Sequence, residues 1–584
     1  MTRFRSRWCA SNYGSVYIAN YRYQLVEHVR LPSFFVSRRA ATGSHRLPET
    51  GHLSFPAGFR HAFTLCTPLR REPLPAMIAK TYTCSLLGID AILVEVEVDL
   101  SSGLPCFSTV GLPDNIVRES KDRVKTALQN SGYSFPRERI TVNLAPAHLK
   151  KEGAGFDLPI AVGILAATGA IAPSRAEKAV LVGELSLDGR VKPVAGGLSM
   201  AIQARASGYT ELILPSDSAP EAAVTDELHV VPVNHLSEVV EYLNGRHDIE
   251  PTRVDREHLL GVQDVEEPDF EDVKGQEHAK RGLEVAAAGG HNVLLIGPPG
   301  SGKTMLAQRV SGILPPLGFE EALETSKIFS VAGLLENQPL MVRRPFRAPH
   351  HSISDAGLVG GGHIPRPGEV SLAHNGVLFL DEFPEFRRNI LDLLRQPIED
   401  GRVTIARAAI SLTYPARFML IAAMNPCPCG YSGDSTRPCT CSTQVVQRYR
   451  GRISGPILDR IDLHIEVPAV RYRDLSSTQK AEASSSIRRR VTEARTLQVE
   501  RFSGDSIYSN ALMKPKHVKK YCRIDASGHR LLEQAVHRLG LSARAYHRIL
   551  KVARTIADLE RQAEIASPHL LEAIQYRSLD RRLI

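Results

Sequence analysis

The sequence predicts a multidomain α/β protein in which a parallel β-sheet between helices follows an α+β domain and precedes a helical domain. Three observations support this prediction. At 584 residues the chain is too long for one hydrophobic core, and its length corresponds to roughly three or four domains. Runs in which apolar and polar residues alternate come first. Short continuous apolar runs occupy the middle, and a basic stretch with helix-like patterns ends the chain. Continuous apolar runs are typical of parallel strands covered on both faces.

The first 76 residues differ from the rest of the chain. They contain 11 Arg, no Lys and three Glu, and no sustained helical or strand periodicity. A mitochondrial transit peptide is also rich in Arg and poor in acids, but it is amphipathic. We favour an over-extended gene start, with the functional chain beginning at Met77, because the amphipathic pattern is missing.

Residues 77–245 are predicted to form the α+β domain. Residues 91–100 and 139–144 alternate like half-buried strands, residues 158–167 are apolar throughout like a buried helix, and residues 179–184 resemble another strand. The polar residues 246–272 carry Asp264, Glu266, Glu267, Asp269 and Glu271 and indicate a solvated linker. The sheet domain then spans residues 273–470, and the helical domain spans residues 471–584.

The net charge of +9 is unevenly distributed. Residues 1–76 sum to +8 and residues 471–584 to +11, so the middle of the chain is acidic. No apolar run reaches the roughly 18 residues that span a bilayer, and the N-terminus lacks the apolar core of a secretory signal. We therefore expect a cytoplasmic protein without a membrane segment.

One motif predicts a phosphate-binding site. The apolar run 292–296 leads into Gly297-Pro-Pro-Gly-Ser-Gly-Lys-Thr304, which matches the P-loop pattern G-x-x-x-x-G-K-[ST]. Glycines allow backbone N–H groups to surround phosphate oxygens, the Lys reaches the β and γ oxygens, and the Thr hydroxyl ligates Mg²⁺. The predicted cofactors are ATP and Mg²⁺, and the predicted binding residues are Gly297, Pro298, Pro299, Gly300, Ser301, Gly302, Lys303 and Thr304.

Two further apolar runs end in polar residues. Residues 376–380 precede Asp381 and Glu382, which predicts a carboxylate that holds Mg²⁺ and a second that polarises the attacking water. An acidic pair after a strand is more often a solvated loop, but a chain that already has a P-loop favours the catalytic interpretation. Residues 418–423 lead to Asn425, for which a capping role is about equally plausible from the residues alone.

Long motifs resemble a known family. They are Thr109-Val-Gly-Leu-Pro-Asp114, Phe346-Arg-Ala-Pro-His-His-Ser-Ile353, Pro365-Arg-Pro-Gly-Glu-Val-Ser-Leu-Ala-His374 and Asn425-Pro-Cys-Pro-Cys-Gly430. With the P-loop, they resemble the magnesium-chelatase-like AAA+ family known as YifB or ComM, from Met77 to the C-terminus. The resemblance implies a homo-hexameric ATPase that acts on DNA, with ComM-like members driving branch migration during recombination in natural transformation. It also implies a helical C-terminal lid.

In the AAA+ pattern, Asn425 takes the position of the sensor-1 residue. Arg460 follows a Gly-Pro turn and takes the position of an arginine finger offered to a neighbouring subunit, and Arg544 takes that of the lid's sensor-2 residue. Either arginine alone fits a surface charge as well. A finger supplied to a neighbour requires a head-to-tail interface, which closes as a ring.

The resemblance gives residues 77–245 a Lon-protease-like fold. Peptidase chemistry in that fold needs a Ser nucleophile and a Lys base. No Ser lies between Ser134 and Ser174, and Ser199 follows Gly-Gly-Leu where the Lys is expected. We therefore expect the fold without peptidase activity.

Four of the nine cysteines crowd into one short stretch, at Cys427, Cys429, Cys439 and Cys441. Four thiolates suit tetrahedral Zn²⁺, although the C-x-C spacing is tighter than the usual C-x₂₋₄-C. A redox pair and inert thiols are the alternatives, and zinc is favoured because intracellular cysteine clusters more often hold metal than disulfides.

For DNA, residues 402–407 and 409–413 are predicted to form a hairpin that presents Arg407 to phosphates without reading bases. A solvated surface arginine is equally plausible. The basic C-terminal domain, with Lys514, Lys516, Lys519 and Lys520, is a second candidate surface. Two other functions remain open, a porphyrin chelatase and a protein-remodelling ATPase, and stimulation of ATPase activity by forked DNA or by unfolded protein distinguishes the DNA motor from the latter.

Overall fold

The computed structural model describes residues 78–261, 268–335, 338–362, 365–406, 411–434, 437–470, 480–505 and 507–579. Three predictions fall outside these ranges: those for residues 1–76, for Arg407, and for the acids Asp264, Glu266 and Glu267 of the expected linker.

The first domain contains a seven-stranded mixed sheet in the order β3-β4-β2-β1-β5-β8-β9. β2 pairs antiparallel with both β1 and β4, and the other pairs of neighbours are parallel. The strands are β1 (Ile78–Leu87), β2 (Asp90–Ser101), β3 (Cys106–Val110), β4 (Arg139–Ala145), β5 (Ala179–Leu181), β8 (Glu211–Pro215) and β9 (His229–Val233), with β6 (Glu184–Leu185) and β7 (Val191–Lys192) forming a separate ribbon.

The helices of this domain are α1 (Asn115–Asn130), α2 (Asp157–Ala167), α3 (Pro173–Ala176), α4 (Gly197–Ala206), α5 (Ala219–Ala222) and α6 (Leu236–Leu243). Every residue of α2 is buried, which confirms the uniformly apolar run as a core helix. The predicted strands at 91–100 and 139–144 are also confirmed, as β2 and β4. Ser199 is buried in α4 and donates to the Ile89 carbonyl at 2.6 Å.

The predicted linker, in residues 246–259 and 268–272, is exposed or half-buried except at Phe270, and its last residues contact the following domain. Helix α7 (Arg256–Gly261) lies inside it, and Phe270 is fully buried in the core of the following domain. Asp269 is also engaged, because its carboxylate accepts from the backbone N–H of Glu271 at 2.7 Å and of Ser484 at 2.9 Å. The acidic composition reflects capping as well as solvation.

The central domain is built on a five-stranded, fully parallel sheet in the order β11-β14-β17-β10-β18. Its strands are β10 (Val293–Ile296), β11 (Phe346–Arg347), β14 (Val377–Leu380), β17 (Met419–Met424) and β18 (Leu463–Glu466). Two antiparallel ribbons accompany it, β12 (Gly360–Gly361) with β13 (Arg366–Pro367) and β15 (Arg402–Ala406) with β16 (Ser411–Pro415). The three predicted apolar strands are confirmed as β10, β14 and β17.

Helices cover both faces of this sheet. They are α8 (Glu277–Gly289), α9 (Lys303–Arg309), α10 (Phe319–Ala332), α11 (Asp355–Val359), α12 (Glu369–Leu372), α13 (Arg388–Leu393), α14 (Arg395–Asp400), α15 (Thr443–Arg450) and α16 (Gly455–Leu458). All four residues of β10 and all four of β14 are buried. Parallel strands bring their carboxyl ends to one edge of the sheet, where ligands bind in open α/β folds.

The described part of the C-terminal domain is helical, with α17 (Ser484–Arg501), α18 (Pro515–Tyr521), α19 (Ala526–Leu539), α20 (Ala543–Leu559) and α21 (Ser567–Gln575). It shares a hydrophobic core with one face of the parallel sheet. A buried polar contact joins them: Arg548 on α20 donates to Asp462, which precedes β18. The helical domain is therefore packed directly against the sheet, through both apolar and polar contacts.

The first domain also packs onto the central one, through α10. Leu198 and Val224 form a small apolar cluster with Leu317, Ala322 and Leu340. Lys327 on α10 pairs with Asp90 at 2.5 Å. Among the residues that the structure describes, no helix has the length and apolarity needed to cross a membrane.

Candidate nucleotide-binding site

The P-loop joins β10 to α9, as the pattern predicted. Gly297 allows a close approach of two backbones, because a Cβ atom there would lie 2.1 Å from the Val467 carbonyl oxygen. Gly300 and Gly302 have φ angles of +75° and +83°, a region that side chains other than glycine rarely adopt. The loop is thus shaped by its glycines, and α9 begins directly at Lys303.

Lys303 reaches back over this loop. Its ammonium donates to the carbonyl oxygens of Gly297 and Pro298, both at 2.9 Å, and to Asn425 Oδ1 at 3.2 Å. Burial lowers the pKa of the Lys303 ammonium, and the charge of Asp381 opposes that effect. The structure therefore brings the predicted sensor residue, from the end of β17, into contact with the P-loop lysine.

The acidic pair at the end of β14 faces the first turn of α9. Thr304 Oγ1 donates to Asp381 Oδ2 at 2.6 Å, and Asp381 Oδ1 accepts from the backbone N–H of Glu382 at 2.8 Å. A hydroxyl and a carboxylate placed side by side are the oxygen ligands that Mg²⁺ uses at phosphate sites. Thr304 and Asp381 could hold that ion together.

Glu382 has a left-handed backbone with φ +51°, which is costly for a residue with a side chain and is concentrated at functional sites. Its Oε2 lies 3.2 Å from Nδ1 of His351, whose ring contacts that of His350 at a tilt of 35°, with centroids 4.0 Å apart. Sequence reasoning missed this histidine. The only signal is its place in the Phe346–Ile353 motif, which indicates the family but does not by itself indicate a catalytic residue.

These groups surround one cavity of about 700 Å³, which is within the usual range for small-molecule sites. Its lining comprises P-loop and α9 residues, the segment after β11, and the ends of β14 and β17: Pro299, Gly300, Gly302, Lys303, Thr304, Met305, Ala348, Pro349, His350, His351, Phe379, Asp381, Glu382, Met424 and Asn425. One lysine, two carboxylates and a hydroxyl converge there. The arrangement can bind a metal-bound polyphosphate and place a base beside it.

The two predicted arginines do not line this cavity within the chain. The Arg460 side chain is 11% exposed, lies 2.5 Å from Glu399 and donates to the Pro456 carbonyl at 2.6 Å. Arg544 is 65% exposed and lies 3.8 Å from Asp459. The structure therefore places both arginines near α16, and their roles stay predictions.

The four clustered cysteines converge. Their Sγ atoms all lie within 4.8 Å of one another, and three of the pairs lie at 3.3, 3.6 and 3.7 Å. Backbone N–H groups of Tyr431 and Thr440 lower the pKa of the Cys429 thiol to about 5. Zn–S bonds of about 2.3 Å in a tetrahedron separate the sulfurs by about 3.8 Å, whereas a disulfide requires about 2.05 Å.

The ribbon β15–β16 confirms the predicted hairpin strands. Val403, Ile405 and Tyr414 are buried on one face, while Arg402 and Thr404 are exposed. Arg407 lies in the connection between the strands, outside the described residues. On α18 and just before it, Lys514, Lys516, Lys519 and Lys520 are all exposed, and Lys516 pairs with Asp505 at 2.9 Å.

Three family models match the chain. "Magnesium chelatase, subunit ChlI" matches residues 269–475, "Subunit ChlI of Mg-chelatase" matches residues 96–218, and "Magnesium chelatase, subunit ChlI C-terminal" matches residues 481–577. The models therefore cover parts of all three described domains.

Similar proteins extend the match over most of the chain. The chain is 47% identical to "Uncharacterized protein YifB" of Salmonella typhimurium, over 87% of this chain and 98% of the relative. It is 46% identical to "Competence protein ComM" of Haemophilus influenzae, over 87% and 98% of the two chains. Similarity to the "Magnesium-chelatase 38 kDa subunit" of Rhodobacter capsulatus is lower, at 28% over 35% of this chain and 60% of that protein.

Proposed function

Because the chain belongs to the magnesium-chelatase-like family of the YifB and ComM proteins, we propose that it hydrolyses ATP to drive movement on DNA during competence. The observation that carries the ATPase part is the convergence of Lys303, Thr304, Asp381 and Glu382 on one cavity. The DNA part rests on the name of the 46% identical relative, a competence protein.

Each residue has a distinct part in hydrolysis. Lys303 would exchange its P-loop carbonyl partners for phosphate oxygens, and Thr304 and Asp381 would hold Mg²⁺, which would supply positive charge beside those oxygens. Glu382 orients and deprotonates the attacking water through Oε1, since Oε2 is already in contact with His351. Asn425, 3.2 Å from the Lys303 ammonium, senses the phosphate end of the nucleotide.

We further propose a homo-hexameric ring in which Arg460 acts on the ATP of a neighbouring subunit and Arg544 acts from the lid. In the single chain Arg460 is held by Glu399. Ring assembly therefore has to exchange this carboxylate for the neighbour's nucleotide, and a finger supplied in this way raises the rate by about 10³ to 10⁵.

On DNA, the ring would drive branch migration without reading sequence. Two features support this: the charge of +11 on residues 471–584 and the exposed face of the β15–β16 hairpin. Arg407, in the hairpin connection, is our candidate phosphate contact inside the ring. The N-terminal domain is assigned a Lon-protease-like fold that retains no peptidase chemistry.

The cysteine cluster is assigned to structural Zn²⁺. The observed sulfur separations of 3.3 to 3.7 Å fit four thiolates around one ion, and cytosolic conditions keep thiols reduced.

The test measures phosphate release by the full chain with Mg²⁺, alone, with forked DNA and with an unfolded protein. We expect basal hydrolysis that forked DNA stimulates, and loss of nucleotide binding in Lys303→Ala. Stimulation by unfolded protein and not by DNA would replace the DNA motor with a protein-remodelling ATPase. Hydrolysis that survives in Lys303→Ala would refute the assignment of this cavity as the ATP site.

A further inference from the structure

The four-cysteine loop, residues 427–441, lies against the P-loop. It leaves the sheet directly after β17, where Asn425 contacts Lys303. Gly430 has φ +88°, and a Cβ atom at this position would lie 2.3 Å from Pro299 Cδ and 2.6 Å from its Cγ. Pro299 belongs to the P-loop and lines the nucleotide cavity. The loop therefore forms one wall behind the phosphate-binding segment.

The described hydrogen bonds of this loop are local to it or lie at its start: Arg437 donates to the Tyr431 hydroxyl at 3.0 Å, and Arg450 donates to the Pro426 carbonyl at 3.1 Å. Between β17 and α15, its described residues form neither helix nor strand. The backbone N–H of Gly430 donates to the Cys427 carbonyl at 3.0 Å, and the N–H groups of Ser432 and Cys441 donate to Sγ of Cys427 and Cys439 at 3.3 and 3.4 Å. Four sulfur atoms this close together, at separations longer than a disulfide bond, form a ligand set for one tetrahedral metal ion.

Cys427 is fully buried, only three residues before Gly430. Movement of its sulfur therefore moves the backbone that touches Pro299. Pro299 is one of two adjacent prolines in the P-loop, and the ring of each fixes its φ angle. A displacement of Pro299 by its neighbour Gly430 is therefore passed to the backbone of the loop.

We propose that Zn²⁺ bound by Cys427, Cys429, Cys439 and Cys441 keeps Gly430 against Pro299, and that nucleotide affinity at the P-loop therefore depends on this metal. The inference rests on the proposed ATP site but not on DNA action. It assigns the metal a role in nucleotide binding, in addition to holding its own loop.

Two glycines of the same loop provide a matched test. Gly430 and Gly433 both have φ +88°, but a Cβ on Gly433 would have no atom within 4 Å. Alanine therefore introduces similar backbone strain at both positions and a collision with Pro299 only at 430. In the full chain we expect both variants to retain one zinc per chain. Gly430→Ala should weaken binding of a fluorescent ATP analogue by about tenfold or more, as overpacking predicts, whereas Gly433→Ala should change it less than about threefold.

Removal of the metal is a second test of whether nucleotide affinity depends on zinc. Cys439→Ser with Cys441→Ser should lose the zinc measured by mass spectrometry and weaken analogue binding at least as much as Gly430→Ala, while circular dichroism of the helices is unchanged. Equal binding by the two glycine variants, a zinc-free wild type after purification with added Zn²⁺, or unchanged affinity in the zinc-free form would each overturn the proposal. A wild type that binds no nucleotide would instead refute the ATP site itself.

Discussion

Asp462 connects the helical domain to the parallel sheet, and replacing it with Asn should partly release that domain. The residue is 3% exposed. One carboxylate oxygen accepts from Arg548 of α20, and the other accepts from the Asn292 N–H at 3.0 Å and lies 3.5 Å from His291 Nδ1. Asp462→Asn keeps the size and removes the charge, leaving the Arg548 guanidinium without its anion.

Breaking a buried ion pair in this way costs about 3 to 5 kcal/mol. The Arg548 side chain retains 20% exposure, so the lower end, about 3 kcal/mol, applies. That cost corresponds to an increase of about 100-fold in the equilibrium constant for local unfolding of α20. Hydrogen exchange of α20 at pH 7 should therefore accelerate by about this factor, while exchange in the N-terminal sheet stays unchanged.

The effect should also depend on pH. Burial alone would raise the pKa of Asp462, but Arg548 and His291 hold it well below the usual range. Stability from a depressed carboxyl pKa is present above the unfolded value of about 3.9 and is lost as pH falls towards the folded value. The difference between wild type and variant should thus be full at pH 7 and shrink below about pH 4.

Asp459→Asn is the matched control. Asp459 is also close to an arginine of the same helix, but Arg544 is 3.8 Å away and 65% exposed. Surface pairs of this kind contribute about 0 to 1 kcal/mol. Equal exchange rates in α20 for Asp462→Asn and Asp459→Asn at pH 7 would refute the reasoning.

Three further predictions concern function. Glu382→Gln should bind ATP with near-normal affinity and lose at least about 100-fold in turnover, measured by analogue binding and phosphate release; near-normal turnover would remove Glu382 from catalysis. A chain beginning at Met77 should fold and hydrolyse ATP like the full chain, by circular dichroism and ATPase assay, and its aggregation would show that residues 1–76 are structural. Arg407→Ala should keep basal hydrolysis but lose DNA stimulation, and the log-log salt dependence of DNA binding should flatten by about one per lost contact; an unchanged slope would direct attention to Lys514 and Lys519.

The parts that sequence predicted are those whose chemistry is local. The P-loop octet and the acids after β14 are contiguous in sequence, because binding phosphate and Mg²⁺ requires these residues close together. The strands before them are continuous apolar runs, because both faces of the sheet are buried. Asn425 was predicted from the resemblance to the AAA+ pattern, and the order β14-β17-β10 brings the end of its strand beside the P-loop.

The parts that it missed depend on pairs brought together from distant segments. Nothing around His351 shows that its ring meets Glu382, and nothing around Gly430 shows that it faces Pro299. The contacts at the end of the predicted linker were missed for a related reason. Composition cannot separate an acid in solvent from Asp269, whose carboxylate accepts from the backbone of Ser484, far along the chain.

The shared helix α10 limits how this protein can be divided for experiments. One side of α10 packs on the central domain, while Ala322 and Lys327 contact the N-terminal domain. In addition, the Gly196 N–H donates to the Ser330 carbonyl at 3.1 Å. A recombinant fragment cut between the two domains would expose Leu317 and Leu340 to water and invite self-association. Fragments for biochemistry should therefore keep residues 78–579 together or carry polar replacements on this face.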